Sequence, residues 1–252
     1  MKRQKLVWIT GASSGIGAET ALQMAADGSH ILVTARSVDK LQDLAEKAGK
    51  LKGEITPMPC DVTQPEQVRA CFEKIENEYG AVDLVLLNAG TYKADTAENF
   101  TIENFKNHMD LNVLGVANAL EPVLRKFIER KAGHIAIVAS VAGFRGLPKS
   151  LSYGPSKAAL INMTEALYME CRPHGIKVQL VNPGFVKTPL TDQNDFFMPM
   201  LMPVQEAAKA LIGGLESNRF EITFPWLFVF LTKLVGLLPN KAYLWLIGQI
   251  KR

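Results

Sequence analysis

Short apolar runs alternate with longer stretches of helical spacing along nearly the whole chain, and this rhythm restricts the fold more than any other feature. The runs fall at residues 6–10, 30–35, 55–60, 82–88, 134–140 and 177–182 and are rich in Val, Ile and Leu. Each is close to continuously apolar, which suits strands covered on both faces rather than on one. Segments such as 15–27, 65–79 and 153–172 carry helical periodicity between them. This βαβα order predicts an α/β architecture with a doubly wound parallel sheet, the Rossmann fold. The 252 residues suit a single domain at 1–224 with an apolar helical extension at 225–252, and no Pro-, Ser- or Gly-rich linker divides them. Sheets of this type bind ligands beyond the carboxyl ends of their strands, where Thr10, Asn88, Ser140 and Asn182 fall.

At the first of these ends the chain reads Thr10-Gly11-Ala12-Ser13-Ser14-Gly15-Ile16-Gly17, between a strand and a helix. Three glycines can mark a turn alone. Placed here, they also permit close backbone approach to a pyrophosphate, and the helix N-terminus offers unpaired N–H groups to it. No Gly-Lys-Ser/Thr follows, so the loop is not that of nucleotide hydrolases. After the second strand, Ala35 stands where an acid would bind the ribose hydroxyls of NAD, and Arg36 and Ser37 come next. Arginine makes bidentate, charge-assisted contacts to phosphate, so NADP(H) is expected over NAD(H), with Ser13 or Ser37 as hydroxyl partners. The alternative is a solvated arginine. Asp61-Val62, after the third strand, sits where an adenine edge is held, or where Asp61 caps the helix beginning at Pro65.

Tyr153 and Lys157 stand four residues apart at the start of a helical segment, Ser152-Tyr153-Gly154-Pro155-Ser156-Lys157. Residues i and i+4 share a helix face, so a phenol and an ammonium project into one space. A free tyrosine titrates near pH ~10, and a neighbouring cation lowers that value. Proton exchange with a carbonyl or hydroxyl oxygen is then feasible.

The remaining composition mostly excludes. Net charge is +3 and the basic residues are scattered, so no nucleic-acid stripe exists. Cys60, Cys71 and Cys171 lack metal-ligand spacing and any CxxC pair, which predicts no metal, buried thiols and a reducing compartment. Met1-Lys2-Arg3-Gln4-Lys5 leads straight into a strand rather than a long apolar core, so a cytoplasmic location is expected.

Taken in order, Thr10-Gly-x-x-x-Gly-x-Gly17, Asn88-Ala89-Gly90, Asn112, Ser140, Tyr153-x-x-x-Lys157 and Pro183-Gly184 with Thr188 resemble the short-chain dehydrogenase/reductase family in its compact single-domain form. The resemblance covers residues 5–224. It implies hydride transfer between a nicotinamide cofactor and a carbon bearing a carbonyl or secondary hydroxyl. Tyr153 is then the general acid in reduction, and Lys157 holds the nicotinamide ribose and lowers the Tyr153 pKa. Ser140 hydrogen-bonds the substrate oxygen, and Asn112 helps hold a water that relays protons to Lys157. Asn88, Ala89 and Gly90 leave backbone room beside the cofactor, and Pro183, Gly184, Val186 and Thr188 line the carboxamide. Singly, Ser140 also suits a strand-end cap, Asn112 a helix kink and Lys157 a surface charge. Relatives pair helices equivalent to 105–131 and 153–172 across subunits, which implies a homodimer or homotetramer.

Substrate identity is less legible. Phe196-Phe197-Met198-Pro199-Met200-Leu201-Met202-Pro203 reads as an adaptable apolar lid or as core. Phe144, Arg145 and Leu147 either add to the same pocket or, for Arg145, face solvent. The tail from Phe224 to Pro239 is strongly apolar but interrupted by Lys233, short of the ~20 residues a span needs. Two short amphipathic helices there suit the inner surface of a membrane, a subunit interface or a roof over the cleft. The expected activity is reduction of an apolar, lipid-like ketone with NADPH. An alcohol or steroid dehydrogenase working oxidatively and a cofactor-binding scaffold without turnover are the alternatives.

Overall fold

Every residue of β1 (Leu6–Thr10) is buried, and its side chains sort by parity into two separate cores. Leu6 and Trp8 face one, Val7 and Ile9 the other, as the two-residue period of a strand requires. The computed structural model describes residues 4–249. In it β1 lies between β2 (His30–Thr34) and β4 (Leu84–Leu87), with Leu6 opposite His30 and Val7 opposite Leu84. β3 (Glu54–Pro57), β5 (Gly133–Val138), β6 (Ile176–Pro183) and β7 (Glu221–Phe224) complete a sheet in the order β3-β2-β1-β4-β5-β6-β7, parallel throughout. The order reverses between β1 and β4, and a doubly wound sheet opens its ligand crevice at that point.

One core lies under α3 (Pro65–Glu78), α5 (Gly115–Arg130) and α6 (Tyr153–Cys171). The other lies under α1 (Gly15–Ala26), α2 (Val38–Ala48) and α7 (Val204–Glu216). Helices on both faces explain the continuous apolar runs, since no strand face is left to water. Trp8 anchors the first core: its ring centroid lies 5.3 Å from that of Phe72, and its indole N–H donates to Thr34 Oγ1 at 2.9 Å. Truncation of Trp8 to Ala costs about 3–5 kcal/mol on this footing. The three cysteines are free and buried, as expected.

Several strands are shorter than the apolar runs. β3 stops at Pro57, although Met58 and Cys60 still donate to Val33 and Ala35 carbonyls. The polar ends Asn88 and Ser140 step out of the sheet, toward the crevice. β7 was hidden in the sequence because its four residues run directly into the apolar tail. Beyond it, α8 (Trp226–Gly236) and α9 (Asn240–Gly248) follow one another across a short turn. Among the described residues no helix is long and apolar enough to cross a membrane.

Candidate active site

The glycine turn and the end of β4 are interlocked. Asn88 Nδ2 donates to the Thr10 and Gly11 carbonyls at 3.3 and 3.0 Å, and Thr10 Oγ1 accepts from the Asn88 and Ala89 amides. Gly11 has φ +69°, and a Cβ there would stand 2.5 Å from Ala89 Cα, so only glycine fits. A Cβ on Gly17 would stand 2.6 Å from Asn88 Nδ2, which explains the third glycine. α1 then starts at Gly15 with Ser14 extended and giving no side-chain cap, which leaves its first-turn N–H groups for an anion. Ile16 packs against the core beneath.

Beside this turn lies a cavity of about 410 Å³ lined by Gly11, Ser13, Ala35, Arg36, Ser37, Lys40, Cys60, Asp61, Val62, Ala89, Gly90 and Leu111. Eight of the sequence-predicted cofactor positions thus share one wall, and Ser14 and Gly15 line an adjoining hollow. Asp61 Oδ1 accepts from the Thr63 amide and hydroxyl at 3.0 and 2.8 Å, whereas Gln64 occupies the cap of α3. Asp61 therefore shapes the cavity rim instead of capping that helix. Sequence reasoning missed Lys40. A cation in the first turn of a helix opposes the helix dipole, and that was the available signal. With Arg36 it places two cations in the cavity lining, and the donor set fits the phosphates of a dinucleotide.

The second cluster forms where β5 ends and α6 begins. Tyr153 opens α6, and Ser140 lies near enough to its hydroxyl to pull its pKa down. Ser140 Oγ also accepts from the Ala142 amide at 3.2 Å, so the strand-end cap exists as well. Lys157 is buried, donates to the Val138 carbonyl at 2.9 Å, and sits with Nζ 5.7 Å from the Tyr153 ring centroid. A Cβ on Gly90 would meet Asn112 Oδ1 at 3.3 Å and Lys157 Nζ at 3.5 Å, so these three residues converge. A π-helical segment at Met109–Leu114, following α4 (Ile102–His108), delivers Asn112 to that point. Its amide donates to the Thr91 carbonyl and to Ser156 Oγ, and its Oδ1 accepts from the Thr91 amide at 2.7 Å. The Asn112 side chain is largely committed to bracing, with one Oδ1 lone pair left.

Electrostatics here differ from the expectation that Lys157 lowers the Tyr153 pKa. Tyr153 is half-buried, and burial pushes its phenol up to about 12 against the opposing pull of Ser140. Burial also lowers Lys157 to about 8, which weakens it as a cation. Near neutrality Tyr153 keeps its proton and so has one to donate.

Aromatic groups wall the space in front of Tyr153. The rings of Tyr92 and His108 meet it edge-on at 5.0 and 6.2 Å. Asp95, buried, accepts from the Ser152 amide at 3.1 Å, from the Ser152 hydroxyl and from Asn104 Nδ2, and so clamps the start of α6. Gly184 lies under Phe228, Val186 bridges Met202, and Thr188 touches Gly15, which folds the segment after Pro183 over the glycine turn. Phe185 contacts Phe196 at 6.0 Å and Phe228 at 5.4 Å, so lid and tail share one apolar cluster. The chain just before Phe196 is tied down by Asp195 to Lys149 at 2.7 Å and by Gln193 Nε2 to the Tyr92 carbonyl at 3.0 Å.

Arg145 is not solvated. It donates to the Gly236 and Leu238 carbonyls and to Asn240 Oδ1 at 2.9, 2.8 and 2.9 Å, and lies 3.7 Å from the Tyr243 ring centroid. It fastens the α8–α9 turn to the loop between Ser140 and Tyr153. Among the described residues no group of side chains is placed to hold a metal.

Comparison with known proteins agrees with this geometry. Residues 5–196 match the family model described as short chain dehydrogenase. An uncharacterized oxidoreductase of Myxococcus xanthus is 36% identical over 235 residues, 93% of each chain. The 3-oxoacyl-[acyl-carrier-protein] reductase FabG of Thermotoga maritima is 33% identical over 189 residues, 75% of this chain and 77% of that one. The solved structure of ElxO with NADP bound superposes with a TM-score of 0.80 at 26% identity, covering 90% of this chain and 100% of the other.

Proposed function

The chain belongs to the short-chain dehydrogenase family, and from that premise we propose that it reduces an apolar carbonyl compound at the expense of NADPH. The observation that carries this reading is the convergence of Lys157 and Asn112 at Gly90, which lines the cavity beside the glycine turn, with Tyr153 on the same face of α6 as Lys157. Tyr153 donates its proton to the carbonyl oxygen, and Ser140 donates a hydrogen bond to the same atom as negative charge develops. The nicotinamide, when bound, supplies the hydride equivalent. Lys157 holds the ribose and returns a proton to Tyr153 through the polar path that Asn112 borders.

Arg36 and Lys40 support NADPH, as two cations positioned for a ribose phosphate. The fit of the cradle rests on Gly11, Gly15 and Gly17, with Ser13, Ser14, Ile16, Ser37, Asp61, Val62, Asn88, Ala89 and Gly90 around it and Pro183, Gly184, Val186 and Thr188 over it. Phe185, Phe196 and Phe228 favour an apolar substrate, and the FabG relative's name makes a 3-oxoacyl thioester one member of the class to try. Exposed Leu114, Leu151 and Met169 at α5 and α6 offer a face for a second copy. A panel of fatty, steroidal and 3-oxoacyl ketones, followed by loss of NADPH absorbance, tests the reading. Turnover on at least one apolar ketone supports it. Tight NADPH binding with no turnover on any would replace it with a binding protein.

A further inference from the structure

The α8–α9 segment is held in place from inside yet apolar outside. Val229 and Tyr243 are buried against the body, and the Tyr243 hydroxyl donates to the Gly146 carbonyl at 3.0 Å beneath the Arg145 clamp. On the outward side Trp226, Phe230 and Leu234 recur every four residues along α8, one helical stripe, and Leu237, Leu244 and Trp245 are exposed as well. Trp226 is 70% and Trp245 68% exposed, while the third tryptophan, Trp8, is core. A clamped segment has no need of these side chains to stay folded.

We propose that this outward face docks in the interfacial layer of an anionic lipid bilayer. Charge argues for it. From Ile222 to the end of the sequence there is no Asp or Glu, whereas Lys233, Lys241, Lys251 and Arg252 are present. Of the two that lie among the described residues, Lys233 pairs with Glu221 and Lys241 has no carboxylate partner. Aromatic side chains with flanking cations on a short amphipathic helix are the pattern of a helix lying in the membrane plane. With 11 residues, α8 spans ~16 Å, too little to cross a ~30 Å hydrocarbon core. A second copy fits this face less well, because a two-fold contact sets Lys241 against its own copy with no Asp or Glu from residue 222 onward to pair it.

Docking is independent of the reductase reading, so its test uses binding alone. Full-length protein is sedimented with vesicles of phosphatidylcholine, with or without phosphatidylglycerol, and tryptophan emission is recorded. The expected result is co-sedimentation and a blue shift with the anionic vesicles only, reversed by salt. Trp226→Ala with Trp245→Ala reduces binding about tenfold or more, and Lys241→Glu weakens it. Both sites are exposed, and circular dichroism checks that the variants fold. Protein left in the supernatant at every composition overturns the proposal. So does vesicle binding unchanged in the double variant, or a soluble dimer that the double variant dissociates.

Discussion

Lys157 Nζ lies 5.7 Å from the Tyr153 ring centroid, and burial moves the two groups apart in pKa, Lys157 down to about 8 and Tyr153 up to about 12. The neutral forms of both are favoured, although only the ammonium serves a cofactor ribose well. A buried cation kept for function costs stability, and the cost depends on pH.

Lys157 has a folded value below its unfolded 10.5, so between about 8 and 10.5 the unfolded chain holds more protons. Stability therefore rises with pH across that window, and the penalty is full below it. Lys157→Met removes a penalty on the order of 3 kcal/mol and leaves the Val138 carbonyl without a donor, a loss of about 1 kcal/mol. Thermal denaturation near neutral pH is expected to show the variant more stable, with that advantage lost above the window.

Arg36→Ala should weaken NADPH binding about 10- to 100-fold, the worth of a charge-assisted contact, while NADH binding changes little. Lys40→Ala should act in the same direction and less strongly. Titration of the cofactor by protein fluorescence quenching measures both. Equal losses for NADPH and NADH would remove these residues from phosphate recognition.

Asp95→Ala strands the Ser152 amide and hydroxyl that the carboxylate now accepts. The expected cost is about 2–4 kcal/mol in chemical denaturation. Asp95→Asn, which keeps one acceptor, should lose less.

Arg145→Ala frees the α8–α9 turn. Hydrogen exchange should quicken in α9 and stay unchanged in β1. Arg145→Lys restores little, since an ammonium cannot reproduce the planar fork that meets three oxygens and stacks on Tyr243.

The sheet was legible because both its faces are covered, which writes each strand as an apolar run. Glycines 11, 15 and 17 were legible for a local reason too, since turn, strand and helix are contiguous there. Asp95 was not, because its partner Ser152 lies 57 residues away and no periodicity links them. Arg145 meets Gly236 across 91 residues, so an arginine in a loop looked solvated. The Tyr153 pKa failed for another reason: a neighbour's charge can be read from spacing, but burial cannot.

The central claim is that Tyr153 donates the proton in a carbonyl reduction for which the fold itself holds NADPH. Tyr153→Phe tests it most directly, with NADPH affinity and turnover on an accepted ketone measured in the same preparation. Affinity within about twofold of the original and turnover reduced by 10²-fold or more, roughly the worth of a general acid, is the predicted result. Turnover retained in this variant would contradict the account.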